Sequence, residues 1–268
     1  MDRSGEIEKG CSAQSNLNDS EPPMNRPLAA IVRRCVRKIV RALCLAMVVL
    51  TALNAGGAAT KERRKVFRLD SMEGLEAVNT KAEIVMYRGR KALHLAPAQD
   101  QETDKHSMIA LVNGTDFKDG TIELEVAGLP IVAMDATARG FVGVEFRAQE
   151  HGARAENISL RPTNGRADDQ LRRNHSVQYE SVPEFPWRRL REEAPGVYES
   201  YVDLEAGAWT KMKIAVAGTK ARLYVNGATQ PCLIVNDLKL GEARGQIGLW
   251  AYIATDAYFS NLQVTRTN

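Results

Sequence analysis

The feature that most restricts the fold of this sequence is a succession of short alternating runs that begins near residue 66 and continues to residue 264. Apolar and charged residues alternate strictly in TIELEV (121–126), and GFVGVEFRA (140–148) repeats the pattern. A period of two is typical of a β-strand with one buried and one solvent-facing side. Asn-Gly pairs such as those at 113–114 and 226–227 separate the runs as turns do. About a dozen such strands predict an all-β chain that folds as a two-sheet antiparallel sandwich.

Two segments depart from this alternation. PWRRLREEA (186–194) has a proline at its start, as helices often do, and predicts one short helix within the long irregular segment 179–204. SMEGLEAVN (71–79) is a weaker helical candidate. The sequence therefore predicts a sandwich with one short helix in a long loop.

The N-terminal part of the chain has the order of a secretory signal. Five Lys and Arg residues between 33 and 41 precede an apolar run, ALCLAMVVLTAL (42–53), and small residues follow in NAGGAAT (54–60). The apolar run is short for a membrane span, which needs about 20 residues. An uncleaved anchor formed by residues 42–60 remains an alternative, and through it the chain would contact the membrane. We expect an extension and signal or anchor segment over 1–59, a sandwich domain over 60–268, and export to the periplasm or the cell exterior.

The true start of translation is also open, because a more ordinary signal begins at Met24 rather than Met1. Three of the four cysteines lie before residue 60, so the exported part keeps only Cys232 and forms no internal disulfide. Of 36 basic and 33 acidic residues, 8 and 5 lie before residue 60, which leaves 28 of each in the remainder. A neutral exported domain argues against nucleic acid as a partner.

The C-terminal half carries a family pattern. GAWTKMKIAVAGTKARLYVNGATQP (207–231), GQIGLW (245–250) and AYFSNLQV (257–264) resemble strands of the concanavalin A-like lectin/glucanase superfamily. The similarity is to laminin-G-like domains and, more closely, to jelly-roll domains of the 3-keto-disaccharide hydrolase type. It implies a concanavalin A-like jelly roll with carbohydrate as the ligand class. The matching residues are mostly core and turn positions, so the resemblance concerns the fold more than the activity.

The most polar stretch of the domain is RPTNGRADDQLRRNH (161–175), which connects two predicted strands. In one interpretation, its Asp and Arg residues pair with each other and fix a long loop. In a second, they bind a polyhydroxyl or carboxylated ligand, because guanidinium and carboxylate groups suit vicinal hydroxyls. In a third, Asn164, Asp168 and Asp169 bind calcium, although the nearby arginines oppose a cation.

Glu145 belongs to a strand that faces the expected site. We expect its side chain to share a face with Gly143 and Arg147, while Val144 and Phe146 point the other way. Glu145 and Arg147 could hold a sugar, or they could form an exposed ion pair of little energetic value.

The segment after residue 175 is aromatic and basic, and we expect it to form a lid with Trp187 as a stacking platform. The predicted ligand-binding residues are those of the polar stretch, its neighbouring strands and the lid: Arg147, Arg161, Asn164, Asp168, Asp169, Arg172, His175, Tyr179 and Trp187.

The leading prediction is an exported lectin-like protein that binds carbohydrate, without cofactor or metal apart from the calcium alternative. The second is a glycoside hydrolase or lyase acting on a (keto-)disaccharide or glycan, with Glu145, Asp169 and His175 as acid–base residues. The third is an adhesive module that binds a protein partner.

Overall fold

The structure, a computed structural model, describes residues 34, 36–38, 40, 63–98 and 107–267. The chain divides into two compact units, 1–59 and 60–268. In the first unit, the described positions are helical and exposed. The predicted apolar run 42–53, the anchor alternative 42–60, the start at Met24 and three of the four cysteines lie outside the described residues. No helix in the described part of the chain has the length and apolarity needed to cross a membrane.

Fifteen strands and two short α-helices are described in the second unit. The strands are β1 (Arg63–Phe67), β2 (Leu75–Val78), β3 (Lys81–Tyr87), β4 (Arg90–Ala96), β5 (Ser107–Phe117), β6 (Gly120–Pro130), β7 (Val142–Gln149), β8 (Arg154–Leu160), β9 (Val177–Val182), β10 (Glu199–Ser200), β11 (Thr210–Ala217), β12 (Lys220–Val225), β13 (Leu233–Val235), β14 (Gly245–Tyr252) and β15 (Thr255–Arg266). The helices are α1 (Gln170–Asn174) and α2 (Trp187–Glu193).

The strands form two antiparallel sheets. The first sheet has the order β13-β12-β11-β6-β15-β4-β3, and β1 pairs with β15. The second sheet has the order β10-β9-β8-β7-β14-β5-β2. Neighbours in the second sheet come from distant parts of the chain, since β14 lies between β7 and β5. This arrangement confirms the predicted all-β, two-sheet antiparallel jelly-roll sandwich.

The core lies between the two sheets and is built from one side of each strand. In the second sheet, Ile158, Val144, Leu249 and Ala110 stand in one register row and are fully buried. Alternation along each strand sends the other set of side chains to the outer face of the sheet. This division of side chains between an inner and an outer face explains the period of two in the sequences of the strands.

Three local details differ from the sequence predictions or add to them. The segment 71–79 is not helical, because its residues 75–78 form β2 at the edge of the second sheet, paired with β5. Edge pairing overrides the modest helix propensity of Leu, Glu and Ala in so short a segment. The helix predicted at 186–194 is present as α2, and a second helix, α1, lies within the polar stretch 161–175.

Candidate functional site

The outer face of the second sheet carries two neighbouring rows of polar and aromatic residues. One row runs Gln178, Ser159, Gly143, Trp250 and Ile109 across β9, β8, β7, β14 and β5. A Cβ on the glycine in the middle of this row would lie 2.3 Å from the carbonyl oxygen of Ile158, so the neighbouring strand leaves no room for a side chain there.

The next row begins with Glu180, Asn157 and Glu145, followed by Gly248 on β14. Glu145 is only 1% exposed, and its Oε2 atom makes no hydrogen bond within the described residues. The turn after β7 covers it, since a Cβ added to Gly152 would lie 3.2 Å from that oxygen. Burial, followed by the charge of Glu180, raises the pKa of Glu145 well above its ordinary value, and the Asn157 amide opposes this effect. Glu145 is therefore a covered residue beside the site, and its burial favours the protonated form.

A cavity of about 650 Å³ lies above the first row, within the size range of small-ligand sites. Its walls are the segment 135–141, the polar stretch 161–175 and the start of α2. The lining residues are Ser107, Asp135, Thr137, Arg139, Phe141, Ser159, Arg161, Asn164, Arg172, His175, Gln178, Glu180, Val182, Pro186, Trp187, Arg188, Arg191, Trp250 and Tyr252.

Aromatic rings form two sides of this cavity. Trp250 lies on the floor, and its indole Nε1 donates to Ser107 Oγ at 2.9 Å. Phe141 and Tyr252 meet edge to face with ring centroids 5.3 Å apart. Trp187 stands at the first position of α2 and is 36% exposed. Leu190, one turn later in α2, is buried in the core and anchors the helix that presents the indole.

Two arginines of the wall share one acidic partner. Arg161 Nη1 donates to Glu199 Oε1 at 3.1 Å, and Arg191 Nε donates to Glu199 Oε2 at 2.8 Å. Burial of Arg161 lowers its pKa to about 10, although Glu199 counteracts the effect. The pKa of Glu199 is lowered because hydrogen bonds from Arg191 and the charge of Arg161 outweigh its burial. His175 completes the group, with Nε2 3.5 Å from Glu199 Oε2.

Three further arginines line the cavity and form no ion pair within the described part of the chain: Arg139, Arg172 and the exposed Arg188. Arg172 has only a marginal contact at 3.5 Å, from Nη2 to Asn164 Oδ1. Arg139 Nη1 donates to the carbonyl of Ala138, the preceding residue. Burial and then the charge of Arg172 lower the pKa of Arg139, and Asp135 partly offsets them. Arg139 and Arg172 thus line the same cavity, and the charge of Arg172 acts on Arg139.

Glu180 is the acidic residue of the sheet that reaches the cavity. Its Oε2 accepts a hydrogen bond from the backbone N–H of Trp187 at 3.1 Å. Burial raises the pKa of Glu180, while that hydrogen bond and the charge of Arg161 act in the opposite direction. The carboxyl group therefore holds a proton to a higher pH than an exposed glutamate does.

Five of the predicted ligand-binding residues line the cavity together: Arg161, Asn164, Arg172, His175 and Trp187. Asp168 and Asp169 do not line it, and both are exposed. Asp169 instead caps α1, where its Oδ1 accepts from the backbone N–H of Arg172 at 2.7 Å.

The predicted mutual Asp–Arg pairing within 161–175 is not found either. Arg166 pairs outside the stretch, with Asp203 at 2.9 Å and Glu205 at 2.9 Å. The three residues proposed for calcium have separate surroundings, since Asn164 donates to the carbonyl of His175. The described residues contain no group of three or more His, Cys, Asp or Glu side chains that could hold a metal ion.

Arg147 lies away from the cavity, which corrects its expected face. A β-bulge between Phe146 and Gln149, with Arg147 at a φ of 55°, breaks the period of two along β7. The guanidinium is buried and donates to the carbonyls of Lys118, Gly218 and Gly241. Arg147 thus ties together three turns of the fold.

Tyr179 also lies on the other side of its strand. It is fully buried between the sheets, and its hydroxyl donates to Glu156 Oε2 at 2.7 Å. The alternation of β9 explains this, because Gln178 and Glu180 take the outer face and Tyr179 must take the inner one. The same alternation, visible in the sequence HSVQYESV (175–182), could have identified Gln178 and Glu180 as site residues.

Other residues of the cavity had no sequence pattern to reveal them. Arg139 and Asp135 come from an irregular segment, and Trp250 belongs to a strand interpreted as core. Trp250 is nearly buried, yet its ring lies on the outer face rather than between the sheets.

Comparison with solved structures identifies the fold. A Bacillus subtilis protein of unknown function with a galectin-like fold matches at a TM-score of 0.51 and 13% identity, over 76% of this chain and 96% of its own. The carbohydrate-binding module CBM66 of Bacillus subtilis matches at 0.49 and 15% identity, over 71% and 95%. Winged bean acidic lectin, complexed with methyl-α-D-galactose, matches at 0.49 and 12%, over 76% and 99%. No protein-family model and no curated protein sequence matches the chain. The first of these matches shows that the chain is similar in fold to a galectin-like sandwich, in agreement with the predicted two-sheet sandwich.

Proposed function

We propose that this protein binds carbohydrate in the cavity on the outer face of its second sheet. The observation that carries the proposal is the combination of two indole rings with a set of hydrogen-bonding groups around one cavity of about 650 Å³. A pyranose ring has an apolar C–H face that packs on an aromatic ring, and hydroxyls at its edge that need directed partners. Trp187 and Trp250 supply the rings.

Free hydrogen-bonding groups around these rings support the same conclusion. Within the described residues, the side chains of Gln178 and Ser159 make no hydrogen bond, although both line the cavity. Arg161 Nε is buried and has no hydrogen-bond partner there either. A buried donor without a partner costs free energy, so a ligand that accepts its hydrogen bond gains affinity.

The test is a glycan array followed by titration calorimetry on each ligand found. We expect Trp187→Ala to weaken binding by about fivefold or more, since loss of an important aromatic contact costs more than about 1 kcal/mol. Trp209→Phe is the matched control, because Trp209 lies beside the first sheet, against Tyr87. Thermal unfolding of each variant checks that the fold is retained. No binding on the array, or unchanged affinity in the Trp187 variant, would contradict the proposal.

A second candidate function is glycoside cleavage, and the position of Glu180 at the cavity, with burial raising its pKa, favours it. A carboxyl group with a raised pKa can act as a general acid toward a glycosidic oxygen. Of the acid–base residues predicted from sequence, only His175 lines the cavity. Incubation with disaccharides and 3-keto-disaccharides, followed by chromatography, tests this function. Turnover that Glu180→Gln abolishes, without loss of binding, would establish it, and absence of products would exclude it for those substrates.

Export is part of the proposal and is supported by the order of basic, apolar and small residues between 33 and 60. An adhesive role toward a protein is the remaining alternative. A cavity that is concave and lined by free polar groups suits a small ligand better than a flat protein epitope. The glycan array separates these two alternatives as well.

A further inference from the structure

The cavity carries more positive charge than a neutral sugar requires. Five arginines line it, whereas its acidic residues are Asp135 and Glu180, with Glu199 behind the wall. Glu199 is already shared by two of those arginines. Asp135 is engaged as well, since it accepts hydrogen bonds from Thr137 and from the hydroxyl of Tyr252.

Arg139, Arg172 and the exposed Arg188 hold the uncompensated part of this charge, and Arg188 lies 5.5 Å from the centroid of the Trp187 ring. Neither Arg139 nor Arg172 forms an ion pair with any described residue, and the charge of Arg172 adds to burial in lowering the pKa of Arg139. Two guanidinium groups that line one cavity repel each other, although solvent screens the exposed Arg172. Their remaining N–H groups have no acceptor of matching charge in the described part of the protein. An anion between them would remove the repulsion and accept those hydrogen bonds.

We propose that the ligand of this cavity is a saccharide with an anionic substituent, held between Arg139 and Arg172. The inference rests on the proposed carbohydrate-binding function and specifies its substrate class. A carboxylate matches the planar guanidinium fork through two parallel N–H···O bonds, and a sulfate ester offers the same acceptor pattern. A uronic acid and a sulfated sugar are the two sources of that chemistry, and Trp187 and Trp250 would contact the ring that carries the group.

The balance of the rest of the domain favours a local role for this charge. Residues 60–268 have equal numbers of acidic and basic residues, so a general attraction for polyanions is not expected. The local excess of positive charge is formed by the arginines of one cavity wall. An anionic group placed at one point of a ligand therefore fits better than a long, uniformly charged polymer.

The experiment compares acidic sugars with matched neutral ones by titration calorimetry on the full chain. The probes are a galacturonate trisaccharide, its methyl ester, a galactose 6-sulfate disaccharide and galactotriose. We expect one of the two anionic probes to bind at least tenfold more tightly than its neutral counterpart, and the preference to fall as salt rises. The probe that binds identifies the source as carboxylate or sulfate.

Variants locate the charge recognition. We expect Arg139→Gln and Arg172→Gln each to reduce the preference for the anionic probe about tenfold, while Arg154→Gln, an exposed charge control at the start of β8, leaves it unchanged. If a variant does not fold, the comparison of acid with methyl ester on the unmodified protein still decides the question.

The outcomes separate this inference from the proposed function. Equal affinity for acidic and neutral sugars, lost in Trp187→Ala, would overturn the anionic preference and leave carbohydrate binding intact. No binding of any sugar on the array or in the titrations would overturn both. A preference that persists in both arginine variants would overturn the assignment to Arg139 and Arg172.

Discussion

Arg147 provides the sharpest quantitative test of the structure, because its side chain is 0% exposed and makes only internal contacts. Its Nε and Nη2 donate to the carbonyl of Lys118 at 3.0 and 2.9 Å, and Nη2 donates to the carbonyl of Gly218 at 2.7 Å. Nη1 donates to the carbonyl of Gly241, and Asp119 lies 3.2 Å from Nη2. One buried guanidinium thus donates hydrogen bonds to backbone carbonyls of three separate turns.

We expect Arg147→Met to lower the free energy of unfolding by about 3–5 kcal/mol. Methionine keeps much of the aliphatic stem but leaves the carbonyl oxygens without donors, and each unsatisfied group costs about 1–3 kcal/mol. These costs are not additive, and removal of one partner from a buried charged network commonly costs about 3–5 kcal/mol in total. Arg147→Lys should lose less, because an ammonium reaches only some of the carbonyls.

The assay is urea unfolding followed by tryptophan fluorescence, with Arg154→Met as the control. Arg154 is exposed at the start of β8, and its replacement should change stability by no more than about 0.5 kcal/mol. A loss below about 1 kcal/mol in Arg147→Met would refute the assigned role, since it would mean that water or other donors already satisfy the three turns.

Two further predictions concern the site and its wall. Burial raises the pKa of Glu145, so the folded protein holds this proton more tightly than the unfolded chain does. The free energy of unfolding therefore falls as the pH rises above about 4.5, the ordinary pKa of a glutamate. Glu145→Gln should therefore become more stable relative to the unmodified protein between about pH 4 and pH 8 in urea unfolding, and a constant difference would contradict the burial of that carboxyl. Gly165→Ala should destabilise the polar stretch by about 1–3 kcal/mol, because a Cβ there would lie 2.4 Å from the backbone nitrogen of Leu204. A melting temperature unchanged within about 2 °C would argue against this close approach.

Most of the fold could be predicted from the sequence because each long strand directs one set of alternate side chains into the core between the sheets. Alternation in 121–126 and 140–148 is a direct consequence of that division, and both runs are strands of the sandwich. The short edge strand β2 was not predicted, since a strand of four residues is stabilised by its pairing with β5 rather than by its own composition.

The site could be predicted only in part. The polar stretch and Trp187 were found because so many hydrogen-bonding groups have no place in a core, and the structure brings Arg161, Arg172 and Trp187 to one cavity. Arg147 was predicted on the wrong face because alternation assigns faces correctly only in a strand without a bulge. The sequence GFVGVEFRA contains no signal for the bulge that is present.

The opposite wall of the cavity was missed for a different reason. Arg139 comes from a segment without periodicity, and its approach to Arg172 depends on how two distant loops pack. Glu180 could have been predicted as a site residue, because its side chain points to the face of β9 opposite to that of Tyr179. In that run, Tyr179 is the predicted ligand-binding residue, and the pleat of the strand directs its side chain into the core.

The central claim is that carbohydrate binds over Trp187 and Trp250, and the three tryptophans of the chain allow a direct test. Each indole N–H gives one signal in a two-dimensional nitrogen–proton NMR spectrum, and Trp209 serves as an internal reference beside the first sheet. Titration with the glycan found on the array should shift the Trp187 and Trp250 signals with one dissociation constant and leave Trp209 unchanged. A shift of Trp209 alone, or none of the three at saturating glycan, would contradict the assignment of the binding site to this cavity.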